Sequence, residues 1–305
     1  MKTLTQLLLV AIVCAALWPE RACAESSQAG AFRLPAYGAR GWGMAGAFVV
    51  VADDESSVDW NPAGLARTPR TAGASYLQLV EGVTAGQSQL VFTMPISRER
   101  HESGTARHVA GAMLTHLGVD VAGGESYSED YVRLAYAFTP EPLVSFGIAA
   151  SGFLSSSGVA GFDGSGTSFD FTGRLSLSPA LATALVARDV FSRYTYDDGR
   201  THEKEPQYVL GLAWYTRHIA FEGDIVRSFG DWARVSVGAE SEYFFSRVAL
   251  RGGISWLPSG ESRAVPAFGI SARAFANRLT LHYGAALDEE DAFGRTHRMS
   301  LAVRI

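Results

Sequence analysis

Cysteine is almost missing from this chain. The two it has, Cys14 and Cys23, fall in the first 24 residues, so no disulfide is expected beyond them. Long apolar runs are missing too. After residue 24 no stretch is long and apolar enough for a membrane-spanning helix, which needs about 20 such residues. No basic patch is present, and acids outnumber bases by 31 to 26, which argues against a nucleic-acid partner. The seven histidines show no metal-ligand spacing, and no Gly-x-Ser-x-Gly elbow occurs. No catalytic residue, metal or cofactor is therefore nominated. The acids Asp53, Asp54, Glu55 and Asp59 lack the glycine and terminal glutamate of an EF-hand loop and read as a solvated turn.

What is present begins with a leader. Lys2, the apolar run Leu7–Trp18 and Ala22-Cys23-Ala24 have the charge, core and cleavage site of a secretory signal peptide. Residues 1–24 are assigned to it. Glu20 and Arg21 do not suit a lipobox. An exported chain of this length without a disulfide must be held by sheet and core alone.

From residue 71 onward the apolar residues recur with period two. Tyr131–Phe138 sets Val132, Leu134, Tyr136 and Phe138 against Arg133, Ala135 and Ala137. Tyr208–Trp214 sets Tyr208, Leu210, Leu212 and Trp214 against Val209, Gly211 and Ala213. This alternation is that of strands with two unlike faces. About fourteen such segments occur, each near the roughly ten residues a tilted spanning strand needs. Short connections such as Pro140-Glu141 and Ser178-Pro179 alternate with longer ones such as Ser155–Gly166. Ile96–Ala106 is a long connection on the short-turn side. An all-β transmembrane antiparallel barrel of about fourteen strands over 71–305 fits this pattern. A soluble sandwich would carry a more polar second face. Phe138, Trp214 and Tyr243 are expected in an aromatic girdle at the short-turn end, and Phe153, Trp232 and Trp256 in one at the long-loop end.

The stretch Gly38–Ala66 differs from the rest. It is too rich in glycine and alanine for an ordinary strand, and too broken by glycine and proline for one long helix. Asn61 reads as the N-cap of a short helical turn, with Pro62 at its first position, where the missing N–H costs nothing. We read 25–70 as a compact plug, or hatch, inside the barrel. The inward face, taken by alternation, carries Arg133, Glu222, Asp224, Arg234, Glu240, Glu242, Arg247, Arg251, Arg273, His282, Arg298 and Arg304. These residues could form a charged conduit or a ladder of ion pairs that holds the plug. The presence of both signs favours the ladder, because buried charges persist only when paired.

Four blocks of this stretch also carry a family resemblance. They are Gly38-Ala39-Arg40, Gly43-Met44-Ala45-Gly46-Ala47-Phe48, Val51-Ala52-Asp53-Asp54 and Trp60-Asn61-Pro62-Ala63-Gly64-Leu65-Ala66. In this order after a leader they resemble the N-terminal region of outer-membrane proteins related to the FadL long-chain fatty-acid transporters, in particular the PorV/PorQ-like branch. Looser similarity continues through Phe169-Asp170-Phe171-Thr172-Gly173 and Thr296-His297-Arg298-Met299-Ser300-Leu301. The resemblance implies a Gram-negative outer membrane, with outer-membrane lipid around the barrel. It implies a hydrophobic small-molecule ligand that diffuses through when the hatch shifts, or leaves by a side opening. Asn61-Pro62-Ala63 would anchor the hatch, and Gly43–Phe48 would line the blocked passage. The PorV-like alternative is a scaffold or shuttle that binds secreted proteins. A tunnel beside the plug would favour transport.

Overall fold

A computed structural model describes residues 36–78, 85–97, 99–101, 104–121, 125–158, 163–228, 231–245, 247–257, 263–287 and 295–305. All lie in one unit, 34–305. The leader assigned to residues 1–24 lies outside the described residues.

Fourteen antiparallel strands close into a barrel. The first seven are β1 (Thr71–Gln78), β2 (Ala85–Pro95), β3 (His108–Val121), β4 (Glu125–Glu141), β5 (Val144–Ser157), β6 (Gly164–Ser178) and β7 (Leu181–Tyr196). A two-residue strand, β8 (Thr201–His202), pairs only with the end of β7. The wall continues through β9 (Gln207–Tyr215), β10 (Ile219–Ser228), β11 (Asp231–Ser241), β12 (Val248–Leu257), β13 (Arg263–Ala274), β14 (Leu279–Leu287) and β15 (Arg295–Arg304). Each wall strand pairs with its predecessor, β9 pairs with β7, and β15 returns to β1, with Thr71 opposite Arg304 and Gln78 opposite His297. The strand number read from the alternation is the number observed. Closure leaves no edge strand among the fourteen described wall strands.

The two faces of the wall differ as the alternation requires. Along β13, Ala264, Pro266, Phe268 and Ile270 point outward, and Val265, Ala267, Gly269 and Ser271 point inward. The outer face is a band of exposed apolar side chains, including Leu90, Leu114, Leu134, Ile148, Ile254 and Leu281. Such a band far exceeds the patches that soluble monomers expose. The inner face is small or polar, and what it encloses is the chain's own N-terminal segment. There α1 (Ala39–Gly43) packs on β12–β15. Next, α2 (Ser57–Trp60) meets β3 and β4, and a 3-10 turn (Pro62–Arg67) meets β3–β6.

Three expectations need correction. Phe153 is not in an outer girdle: its strand parity turns it inward, where its ring stacks on Tyr131 at 4.8 Å between centroids. Arg247 is not on the lumen wall. β11 ends at Ser241 and β12 begins at Val248, so Arg247 lies exposed in the turn between them. Glu242 sits in the same turn, exposed, for the same reason. The long connection after β2 has a structural role. It folds back so that buried Ala106 donates its N–H to the Ala66 carbonyl at 2.8 Å, bracing the end of the 3-10 turn.

Closure gives a first prediction. A wall with no edge should resist dissolution by sodium dodecyl sulfate, so the unheated protein should run anomalously in gels and shift on boiling. Leu301→Pro removes a ladder donor from β15, between β14 and the seam with β1, and should abolish that heat shift. Identical mobility of heated and unheated wild type would contradict the closed ladder.

Candidate functional site

The segment inside the barrel must satisfy its backbone without water or a neighbouring strand. Its central run, Phe48-Val49-Val50-Val51, is apolar and fully buried. The side chains pack on small inward residues of β7 and β9, among them Ala182, Ala184, Val209 and Ala213. The backbone is met by charge. Phe48 and Val49 donate their N–H groups to one Asp224 oxygen at 2.9 and 3.3 Å. Val50 and Val51 donate theirs to the two Glu222 oxygens at 2.6 and 2.8 Å. Glu222 and Asp224 are successive inward residues of β10, so one strand holds four consecutive amides. The carbonyl of Val50 accepts from Arg174 at 3.1 Å and Arg67 at 3.2 Å, and that of Val49 from the Asn61 amide at 2.6 Å.

Asn61 has a second task. Its side-chain oxygen accepts from the Ala63 N–H at 3.0 Å, capping the 3-10 turn that Pro62 opens. The Thr172 hydroxyl on β6 accepts from the same N–H at 2.9 Å. The Ala63 backbone can come this close only because Gly147 has no side chain; a β-carbon there would land on the Ala63 nitrogen. Gly284 plays the same part for the Ala39 carbonyl and Gly253 for the Met44 carbonyl.

Arg40 ties the segment to the far wall. Its guanidinium pairs with Asp53 at 2.7 Å, Asp54 at 2.8 Å and Glu240, with its Nε 2.8 Å from that carboxylate. Glu240 also pairs with Arg251 at 2.7 Å, and Arg251 donates to Ser271 at 2.7 Å. Ser271 in turn bonds His282 Nδ1. Phe48 lies beneath Arg40, 5.1 Å from ring centroid to guanidinium, and stands edge-on to Trp60 at 5.5 Å. Gly43 presses against Arg251 and the backbone of Gly269. Gly38 and Gly46 adopt positive φ, 82° and 79°, and Arg234 lies against Gly46.

Of the acids read as a solvated turn, Asp53 is exposed, but Asp54 and Asp59 are part-buried and Glu55 is buried; Arg40 pairs with both Asp53 and Asp54 from inside. Burial, and then the neighbouring Asp54, pushes the Glu55 carboxyl up to about 8. Burial also works against the charge on Asp54, but Arg40 outweighs it and holds that carboxyl down at about 2.

Of the inward charges read by alternation, Glu222, Asp224, Arg234, Glu240, Arg251, His282, Arg298 and Arg133 surround the N-terminal segment. Arg273 and Arg304 lie at the short-turn rim. Arg133 donates to the Val58 carbonyl at 2.8 Å and pairs very closely with Asp170. Arg298, fully buried, donates to Gln87 at 2.6 Å and to the Ala36 carbonyl, and lies over Trp42. The sequence reading did not nominate Asp170, Thr172, Arg174 or Arg188. For three of them the signal was available: Asp170, Thr172 and Arg174 share the inward parity of β6, whereas Arg188 stands beside the buried Asp189, where the pattern breaks.

Two predictions follow from this geometry. Folded Glu55 keeps its proton to about pH 8, whereas a released glutamate loses it near 4.5. Its contribution to seating is complete below about 4.5 and is lost as the pH rises through about 8. Asp54 works the other way: its contribution is present above 3.8 and is lost as the pH falls through about 2. Protease cleavage of residues 36–67 should therefore rise between pH 5 and 8, and Glu55→Gln should flatten that rise. The second concerns the seat. Gly284→Val places a side chain on the Ala39 carbonyl. It should expose 36–67 to protease at every pH while the heat shift of the barrel survives. A Gly284→Val protein as resistant as wild type would contradict the seating described here.

No protein-family profile matches this chain, and no curated protein matches it in sequence. Solved structures do match in shape. The CymD monoaromatic hydrocarbon channel superposes with a TM-score of 0.68 at 13% identity, over 90% of this chain and 99% of that one. A Pseudomonas aeruginosa FadL homologue gives 0.63 at 12% identity, over 89% and 99%. The P. putida toluene transporter TodX gives 0.60 at 12%, over 88% and 98%. The chain therefore has the fold of these FadL-type channel barrels.

Proposed function

We propose that the protein is an outer-membrane barrel that passes hydrophobic small molecules, with residues 36–67 as its hatch and an exit through the side wall. The apolar outer band supports the membrane setting, and the shared fold with hydrocarbon channels supports the solute class. In this reading the short-turn rim faces the periplasm and the long connections face outward.

The lumen around the hatch is packed. Of two clefts formed by described residues, one opens at the short-turn rim and one on the outer wall, and neither runs through the barrel. Passage then requires something to move, and the seam between β6 and β7 is the place built for it. There Thr167 faces Arg193, Phe169 faces Val190 and Phe171 faces Ala187. Two residues on β6 twice oppose three on β7, so β7 carries two bulges. Asp189 and Phe191 take φ of 55°, a region that non-glycine residues rarely occupy. Bulges interrupt the ladder and bend the wall. A cleft of about 480 Å³ lies on the outer surface at this seam, lined by Val132, Gly152, Leu154 and Gly166.

The observation that carries the reading is that hatch and seam share their fasteners. Asp170, the partner of Arg133, also accepts the N–H of Asp189 at 2.9 Å. Arg133 holds the hatch at Val58, and Arg188, beside the bulge, donates to the Trp60 carbonyl at 2.9 Å. A hatch that shifts must loosen the bulged seam, and a seam that opens must release the hatch. A hydrophobic solute would leave by this route into the membrane and avoid the charged short-turn mouth.

The test is uptake of radiolabelled toluene by Gram-negative cells whose own channel is deleted. Wild type should restore uptake. Removing Asp189 and Phe191 together straightens β7, leaves its facing unchanged, and should return uptake to the level of the empty strain. Equal uptake by both proteins, each recovered as heat-shifting barrel from the outer membrane, would overturn the side-exit reading.

A further inference from the structure

The cleft at the short-turn rim, about 650 Å³, has a charge distribution that the hatch does not use. Its floor is the Arg40 network, in which Asp53, Asp54 and Glu240 are all committed to Arg40 or Arg251. Its side is different. Arg273 lies near the end of β13, Arg278 in the turn before β14 and Arg304 at the end of β15, all three lining the cleft, and Arg67 reaches in from the 3-10 turn. Among the described residues, no carboxylate lies within ion-pair distance of any of these four. Arg273 stacks on Tyr243, 3.5 Å from the ring centroid. Arg67 donates one Nη to Val50, and its Nε is buried without a hydrogen-bond partner. Two more acids line the cleft: Glu55, buried in its floor, and Glu242, exposed on the rim with His218 at 3.5 Å.

Adjacent strands that bring like charges together lose stability unless something neutralises them. β13, β15 and the turn before β14 do so here, around one cleft at the rim. Guanidinium groups match carboxylates and phosphates through paired N–H donors. We propose that this cleft is an anion-binding site for a small, freely diffusing solute carrying two or more carboxylate or phosphate charges. The solute would sit against the arginine crescent, on the side of the cleft away from Asp53. The proposal does not rest on hydrophobic transport and is tested without it.

The experiment is calorimetric titration of the purified full-length barrel in neutral detergent at low ionic strength. Citrate, inorganic phosphate and a water-soluble short-chain phosphatidylglycerol are titrated in parallel. Wild type should bind citrate or phosphate in the micromolar to low-millimolar range, with affinity falling as salt is added. The Arg273→Gln/Arg278→Gln/Arg304→Gln variant should bind at least about tenfold more weakly, equal to about 1.4 kcal/mol. Arg200→Gln, at the opposite rim, should bind as wild type does. If the triple variant gives no heat-shifting barrel, Arg304→Gln alone, at an exposed position, should still weaken binding several-fold. Three results would each overturn the proposal: no heat of binding for either anion up to 10 mM (on the order of the weakest class that counts as recognition), equal affinity in the arginine variants, or binding of the lipid alone.

Discussion

Four consecutive backbone N–H groups, Phe48 to Val51, end on two carboxylates of a single strand. The rest of the lumen is arranged around that constraint. A segment with neither helix nor strand cannot satisfy itself, and an unpaired buried amide costs about 1–3 kcal/mol. Burying Glu222 and Asp224 would by itself be worse. Each carboxyl group is matched to amides whose burial would otherwise be unfavourable, so neither set is tolerable without the other. Arg174 and Arg67 on the Val50 carbonyl extend the same exchange to the acceptor side.

The remaining fasteners divide by location. On one side Arg40, Glu240 and Arg251 form a chain of alternating charge from the hatch to β11 and β12. On the other, Arg133 and Asp170 connect the hatch to β4, β6 and the bulged β7. Removing one member of a buried pair strands its partner, at a cost of about 3–5 kcal/mol. The barrel ladder does not depend on these pairs, so such a loss would fall on the hatch and on the seam.

Much of this could be read from the chain. The period-two pattern of β4, β9 and β13 gave the strand number and the inward face, because a wall with two unlike environments imposes it at every second residue. Alternation also placed Glu222, Asp224, Glu240 and Arg251 in the lumen. It failed at strand ends. Arg247 and Glu242 have inward parity, but they lie in a turn where parity no longer applies. The girdle assignment failed for Phe153, which nearness to a long loop suggests although its parity is inward. Alternation could not show which charges pair, since Arg40 and Glu240 are 200 residues apart and only closure of the barrel brings them together. Nor could it show the bulges of β7. Asp189 and Phe191 stand out as extra residues only when β7 is laid against β6. The acidic turn was misjudged because composition does not reveal an arginine reaching it from inside.

The central claim is that inward carboxylates hold the hatch by its backbone. Hydrogen–deuterium exchange of the amides of residues 48–51, measured in the intact barrel, tests it most directly. These amides should exchange as slowly as those of the strands in wild type. In Glu222→Gln/Asp224→Asn they should become fast, while strand amides such as those of β13 remain protected. Fast exchange of 48–51 in wild type, or unchanged protection in the double variant, would contradict the account.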